Sequence, residues 1–354
     1  MTSVHQVLSS AGPFDAVGGQ ALAWQRLLGP DGLAGGLYSD LIDTRARRDF
    51  EPIGALRPAA DDLLVIRYSA YRSALEALLE LPQRKLLVYH NVTPPRYYWR
   101  YHPGTAVACA VGEDRLARFA HAARVTTADS AFNARDLERV GAREVRVVPI
   151  LLDSARLGAR GRPPAGDGPL VLVVGRYAPN KRHDLVLAAF AAYQRECAPD
   201  ARLLCVGAPV TPAYLELVRE LARESGARDV ELASGLSQAD LNAAYAEADV
   251  LLSMSEHEGF CVPLLEAFHF GVPVVARPLG AVPEVAGDAA LWTAEPGATD
   301  EQPDLAVIAE LIHLAVTDAE LREELRRRAA ARLEHFSPER TAEAIREAIG
   351  AALA

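Results

Sequence analysis

No stretch of this chain comes near the ~18–20 consecutive apolar residues that span a bilayer, so no transmembrane helix is expected. The start, Met1-Thr-Ser-Val-His-Gln-Val-Leu8, has no basic segment followed by an apolar one, and no export leader is expected from it. Cysteine is scarce: Cys109, Cys197, Cys205 and Cys261 lie far apart and form no C-x-x-C pair, which favours reduced thiols and a cytoplasmic setting. An Asp-x-Asp motif is missing, and His257-Glu258 with His269 does not have the H-E-x-x-H zinc spacing, so no metal site and no cofactor are expected. Neither half opens with a strand followed by G-x-G-x-x-G, which disfavours a dehydrogenase. Internal repeats and low-complexity tracts are also missing.

What is present is a soluble α/β pattern. The 354 residues are half apolar and 24% charged, enough for two domains that each bury a core. The net charge of −10 is unevenly spread. Through Ala165 there are 21 Lys+Arg against 17 Asp+Glu, leaving 16 against 30 for the remainder. The acidic second half argues against a nucleic-acid binder. The mildly basic first half allows a weak contact with an anionic membrane surface, although dispersed arginines read first as ordinary solvated surface.

Apolar runs alternate with helical patterns, the signature of parallel α/β sheets. In the first half the strand-like runs are Val4–Leu8, Leu63–Tyr68, Lys85–His90, Ala106–Val111, Val125–Ala128 and Val145–Leu152. Gly158–Pro169, rich in Gly and Pro, reads as a linker. After it come strands at Leu170–Val174, Leu203–Val206, Val230–Leu232 and Val250–Met254, with helices from Arg182, Pro212 and Gln238. From Asp304 the pattern is helical; Arg322, Glu323, Glu324 and Arg326–Arg328 read as the solvated side of one helix, and Ser337-Pro338 as the start of another. The expected organisation is a domain over 1–165, a second over 166–335, and a helix over 336–354 that returns to pack on the first.

Two segments carry chemistry. Ser253-Met-Ser-Glu-His-Glu-Gly-Phe-Cys-Val-Pro-Leu-Leu-Glu266 reads as strand, tight loop and helix start, with Glu258 in the loop and Glu266 one turn into the helix. Pro263 suits the first helical position, and the amides of Phe260, Cys261 and Val262 lie at the positive end of the helix dipole, which suits an anion. A carboxylate on either side of an anion site fits a ligand with phosphates in its middle and hydroxylated sugars at both ends. The second segment, Val173-Val-Gly-Arg-Tyr-Ala-Pro-Asn-Lys-Arg-His-Asp184, closes a strand at Gly175 and offers Arg176 and Lys181 from the following loop. Ligands of doubly wound sheets bind at the carboxyl ends of strands, so these cations are expected in the same crevice as Glu258.

V-G-R-x-x-x-x-K followed by S-E-x-E-G-F-x-x-P-x-x-E-A resembles the retaining glycosyltransferases of GT-B architecture, in particular their large fourth family with its sucrose- and mannose-transferring members. The match covers most of the second half. It extends more weakly to Gly12–Gln20, Tyr89–Thr93 and Ala128–Asn133. The resemblance implies two Rossmann-like domains facing a central cleft, a bacterial metal-independent hexosyltransferase, and a nucleoside-diphosphate sugar donor, UDP favoured over GDP. It implies that Glu258 holds hydroxyls of the donor hexose, that Glu266 holds the ribose diol, and that Arg176 and Lys181 neutralise the diphosphate. Gly259, Phe260, Cys261 and Val262 line the sugar and phosphates, with Cys261 where glycine is commoner. Same-face substitution, with the leaving phosphate taking the acceptor proton, is implied as well.

In the first half, Gly18 and Gly19 precede an expected helix, Gln20–Leu28, and let the backbone approach donor phosphates. His90 ends a strand where the family places a histidine near the transferred sugar; imidazoles exchange protons near neutrality. Tyr97, Tyr98 and Trp99 are candidates for an acceptor surface, whether a glycan, a lipid-linked sugar or a natural product. Base recognition is assigned to backbone around Gly207 and to Gly235-Leu236. Two other readings compete with transfer: a sugar-nucleotide epimerase or hydrolase, and a non-catalytic sugar-nucleotide-binding protein.

Overall fold

The structure, a computed structural model, describes residues 2–12, 16–158, 168–295 and 303–354. It divides into two compact units, Met1–Leu151 with Phe336–Ala354, and Leu152–His335. The division falls ahead of the Gly- and Pro-rich stretch at which the sequence places it; residues 159–167 of that stretch lie outside the described residues, as do residues 13–15 of the Gly12–Gln20 segment. Among the described residues no helix is long and apolar enough to cross a membrane.

The first unit holds seven parallel strands, β1 (Val4–Ala11), β2 (Ala34–Ile42), β3 (Glu51–Pro52), β4 (Leu63–Tyr68), β5 (Arg84–Tyr89), β6 (Val125–Ala128) and β7 (Val145–Val147), in the order β3-β2-β1-β4-β5-β6-β7. Every residue of β4 is buried, as expected for a central strand covered on both faces. Three sequence expectations change here. Ala106–Val111 is not a strand but part of the helix Pro103–Ala122. His102 caps that helix by accepting the Thr105 amide at 3.0 Å, and Ala106, Cys109, Gly112, Leu116 and Phe119 form its buried stripe at helical spacing. Strand β2, which the sequence pattern does not reveal, carries Gly35 where β1 is too close for a side chain: a Cβ there would stand 2.7 Å from the Val4 carbonyl oxygen. Gly18 and Gly19 do not precede a helix; they lie near the start of the helix Ala16–Leu28.

The C-terminal helix Pro338–Leu353, capped by Ser337, belongs to this unit. Its Ile345, Ala348, Ile349 and Ala352 are buried with Leu63, Val65, Leu86 and Val88 of β4 and β5. Burying each isoleucine contributes about 1.5–3 kcal/mol, so the helix is part of the core.

The second unit holds β8 (Leu170–Val174), β9 (Arg202–Val206), β10 (Val230–Ala233), β11 (Val250–Ser253), β12 (Val274–Ala276) and β13 (Leu291–Trp292), all parallel, in the order β10-β9-β8-β11-β12-β13. The order reverses direction between β8 and β11, which pair at Val171 with Val250 and Leu172 with Leu251. That switch point leaves a crevice at the carboxyl ends of the two strands that carry both motifs. The helix Ala319–His335 does more than present a solvated face. Arg326 donates to the Gly271 carbonyl at 3.2 Å and Arg332 to those of Glu284 and Val285 at 2.6 and 3.1 Å. These guanidinium groups cap the carboxyl ends of the helices Val262–Phe270 and Val282–Ala286, where cations are favoured.

Candidate active site

At the β8/β11 switch point Lys181 forms an ion pair with Glu258, so the residues singled out in two separate motifs are in contact. Lys181 ends the short 3-10 turn Pro179–Lys181, and its stem lies against Gly175, where a Cβ would stand 3.4 Å from Lys181 Cε. Arg176 follows Gly175 at the same strand end, exposed and without a hydrogen bond or ion pair among the described residues. An exposed cation beside a largely buried ion pair is an arrangement with charge left over for an anion.

The Glu258 loop is held from two sides. Asn180 donates to the His257 carbonyl at 3.0 Å and accepts the Glu256 amide on its own carbonyl at 2.8 Å. On the other side Ala281 donates to the Glu258 carbonyl at 3.0 Å. Gly280 passes so close beneath that a Cβ there would lie 2.7 Å from the Glu258 oxygen, and its φ of +64° is a conformation glycine adopts freely. Cys261 takes a left-handed conformation, φ 78° and ψ 65°, just before the helix Val262–Phe270. Pro263 is the second residue of that helix rather than the first. Among the described residues three of the four non-glycine positions with positive φ adjoin the motifs: Asn91 after His90, Arg182 after Lys181, and Cys261. Such conformations cost about 1–3 kcal/mol each and gather where a backbone must be aimed.

Glu266 lies one turn into the Val262–Phe270 helix and accepts the Tyr245 hydroxyl at 2.7 Å. Burial raises its pKa, against which the Tyr245 hydroxyl and the Arg156 charge lower it. A carboxyl raised in the folded state contributes stability below its unfolded value that is lost as pH rises through the folded value. The ionised form is therefore a burden on the unliganded fold near neutrality. Glu266→Gln should raise the melting temperature of the unliganded protein at pH 7, with the melting difference closing below the ordinary glutamate value of 4.5. Calorimetry across pH checks this, and an unchanged or lowered melting point at pH 7 contradicts it.

A charge network that sequence reasoning missed lies next to these residues. Glu256 pairs with Arg182 and, at 3.2 Å, with the buried Arg277; Arg182 also forks onto Asp184 at 2.8–3.1 Å. Glu256 stands inside the motif, but its partners come from other strand ends, and no spacing rule connects them. Gly207 has a packing reason: a Cβ there would stand 1.9 Å from the Gly175 carbonyl oxygen. Gly235, at φ 76°, and Leu236 follow the edge strand β10, two strands away from β8.

In the first unit His90 follows β5 and is tied on both ring nitrogens. Nδ1 lies 2.8 Å from Asp129 and Nε2 lies 3.1 Å from Arg67, a guanidinium that can only donate. Nε2 therefore accepts and Nδ1 carries the proton. Arg67 is fully buried, stacks 4.5 Å over Trp24 and binds Gln6 at 2.7 and 3.0 Å; burial pushes it down to about 9. With its side chain 4% exposed, the imidazole offers no free N–H. Of the aromatic cluster, Tyr98 is buried, Tyr97 lies under Arg96 at 4.8 Å, and Trp99 alone is half exposed.

Two doubly wound units with a cation-rich switch point in the second define the GT-B class of folds. Residues 160–332 match the family model described as glycosyl transferases group 1. Over 139 residues the chain is 32% identical to a GDP-mannose-dependent alpha-(1-6)-phosphatidylinositol monomannoside mannosyltransferase of Mycobacterium tuberculosis, covering 37% of this chain and 35% of the relative. Over 194 residues it is 31% identical to a D-inositol 3-phosphate glycosyltransferase of Stackebrandtia nassauensis, covering 50% and 43%. The chain thus spans less than half the length of these curated relatives. The crystal structure of Anabaena HepE in complex with UDP-glucose superposes with a TM-score of 0.75 at 17% identity, covering 99% of this chain and 100% of that one. Sucrose-phosphate synthase from Thermosynechococcus elongatus does so with 0.72 at 18%, covering 98% of each.

Proposed function

We propose that the chain transfers a hexose, with retention of configuration, from a nucleoside-diphosphate sugar to an acceptor hydroxyl of a glycan, a lipid-linked sugar or a natural product. The Lys181–Glu258 contact at the switch point carries this reading, because it joins a carboxylate for sugar hydroxyls to a cation for phosphate. The bond between the anomeric carbon and the diphosphate oxygen breaks, and its electron pair leaves with the phosphate. The acceptor oxygen bonds to the same carbon on the same face, and its proton passes to the departing phosphate oxygen. Arg176 and Lys181 stabilise the charge that develops there, a role that requires no metal. Glu258 orients the hexose and Glu266 the ribose.

The donor base is assigned by similarity. The sequence alone prefers UDP over GDP but does not identify the base, whereas relatives of 32–39% identity are named for GDP-mannose and the UDP-glucose complex is only 17% identical. GDP-mannose is therefore the first donor to test. The basic first half suits work at the cytoplasmic face of a membrane.

The test measures nucleoside-diphosphate release from GDP-mannose and UDP-glucose with and without a panel of polyol and glycan acceptors, and the anomeric configuration of the product by NMR. Acceptor-dependent release with a retained anomer is expected. Equal release without acceptor would identify a hydrolase or epimerase, and binding without release a non-catalytic protein.

A further inference from the structure

Tyr245 lies in the helix Gln238–Glu247, and none of its side chain reaches solvent. A hydroxyl withdrawn from water requires an acceptor, and a backbone carbonyl would serve. The Pro263 carbonyl is at hand, yet only at 3.4 Å. The short bond, 2.7 Å, goes instead to Oε2 of Glu266. Both acceptors belong to the first turns of the Val262–Phe270 helix, so the hydroxyl fixes the carboxylate relative to the helix that carries it. The phenol ring is itself fixed, stacked on Phe270 with centroids 5.6 Å apart and planes within 1° of parallel. Glu266 takes no other hydrogen bond among the described residues, which leaves Oε1 and one lone pair of Oε2 to a ligand.

A core tyrosine satisfied for its own sake would not need a half-buried carboxylate, since bringing that charge out of water is costly. The arrangement has a use if the carboxylate must stand ionised, in one rotamer, with a known oxygen facing outward. A vicinal diol sets that demand, because two hydroxyls must donate to one carboxylate in a single geometry. We propose that Tyr245 is a positioning residue that sets the specificity for ribose over deoxyribose by holding Glu266 to receive both hydroxyls of the diol. This rests on the reading of Glu266 as the ribose ligand.

Calorimetric titration of the wild type and Tyr245→Phe with GDP, UDP and their 2′-deoxy counterparts tests it without any acceptor. The wild type should bind the ribonucleotide about tenfold tighter than its deoxy form, the span of one charge-assisted hydrogen bond. In Tyr245→Phe the ribonucleotide should weaken about five- to tenfold while the deoxy form stays within about twofold, so the ratio collapses towards one. A purely structural hydroxyl would weaken both nucleotides alike or lower the melting temperature only. An unchanged ratio in Tyr245→Phe, with the wild type discriminating, overturns the role of Tyr245 and leaves the assignment of Glu266 standing. A wild type that binds none of the four nucleotides overturns the functional reading and this inference with it.

Discussion

Replacing Arg176 by alanine should lower kcat by about 100- to 1,000-fold and leave the melting temperature where it was. The rate figure is the cost of removing one preorganised donor to charge that develops in the transition state, ~2.7–4 kcal/mol. The stability figure follows from the position of the side chain. Arg176 is exposed after Gly175 and makes no hydrogen bond or ion pair among the described residues, so the fold loses no partner with it. Lys181→Ala provides the contrast. It too removes a cation from the leaving group, but it leaves the buried Glu258 carboxylate without its lysine, and the melting temperature should fall with the rate. Steady-state nucleotide release and calorimetry on the two variants separate the effects. If Arg176→Ala raised KM alone, the guanidinium would grip the ground-state diphosphate as tightly as the transition state, and the proposed role would fail.

The two motifs were legible because their chemistry is local. A strand ending in Gly175-Arg176 and a loop running from Glu258 into a helix are set by neighbouring residues, and the switch-point rule for doubly wound sheets supplies the meeting of the two. Strands β8 to β11 of the second unit were therefore readable one by one, whereas the two-residue β13 was not. The first unit was less so wherever the pattern was weak. Ala106-Val-Ala-Cys-Ala-Val111 is apolar enough for a strand, and only the His102 cap and the stripe continuing to Phe119 make it helical. Strand β2 hides behind Gly35 and Gly36, which contribute no side chains to a periodicity, Gly35 because β1 passes at close range and Gly36 because the Tyr38 ring lies over it.

The polar networks behind the site were not legible, for a different reason. Glu256 with Arg277, Tyr245 with Glu266, and Arg67 with His90 are separated by 21 to 23 residues, and each joins two elements whose facing sides emerge only once the sheet is wound. His90 shows what this changes. Its place after a strand suggested an imidazole open to substrate, whereas Arg67 and Asp129 occupy both nitrogens. A role for His90 in unit 1 must therefore work through that fixed tautomer or begin with the displacement of Arg67.

Glu258→Gln should abolish most turnover, with kcat down by about 100-fold or more, while the affinity for the free nucleoside diphosphate rises. The two effects have opposite sign because Glu258 has two duties. In the unliganded protein its carboxylate holds Lys181, so an incoming diphosphate must win the ammonium from it. Glutamine keeps the shape but holds a cation less strongly, since a hydrogen bond to a charged acceptor is worth ~1.5–3 kcal/mol and a neutral one about 0.5–1.5. The difference returns to the diphosphate, and a three- to tenfold tighter Kd for GDP or UDP is expected. Turnover suffers because the amide no longer stabilises a sugar that gains positive charge as its bond to phosphate breaks. Lys181 also loses a charged partner at a site where its side chain is 16% exposed, so the melting temperature of the unliganded variant should drop and be restored by nucleotide. Titration calorimetry and thermal unfolding on the same samples decide the matter. A diphosphate affinity that fell in step with kcat would mean that Glu258 does not compete for Lys181, and that the ion pair seen without ligand persists when the donor is bound.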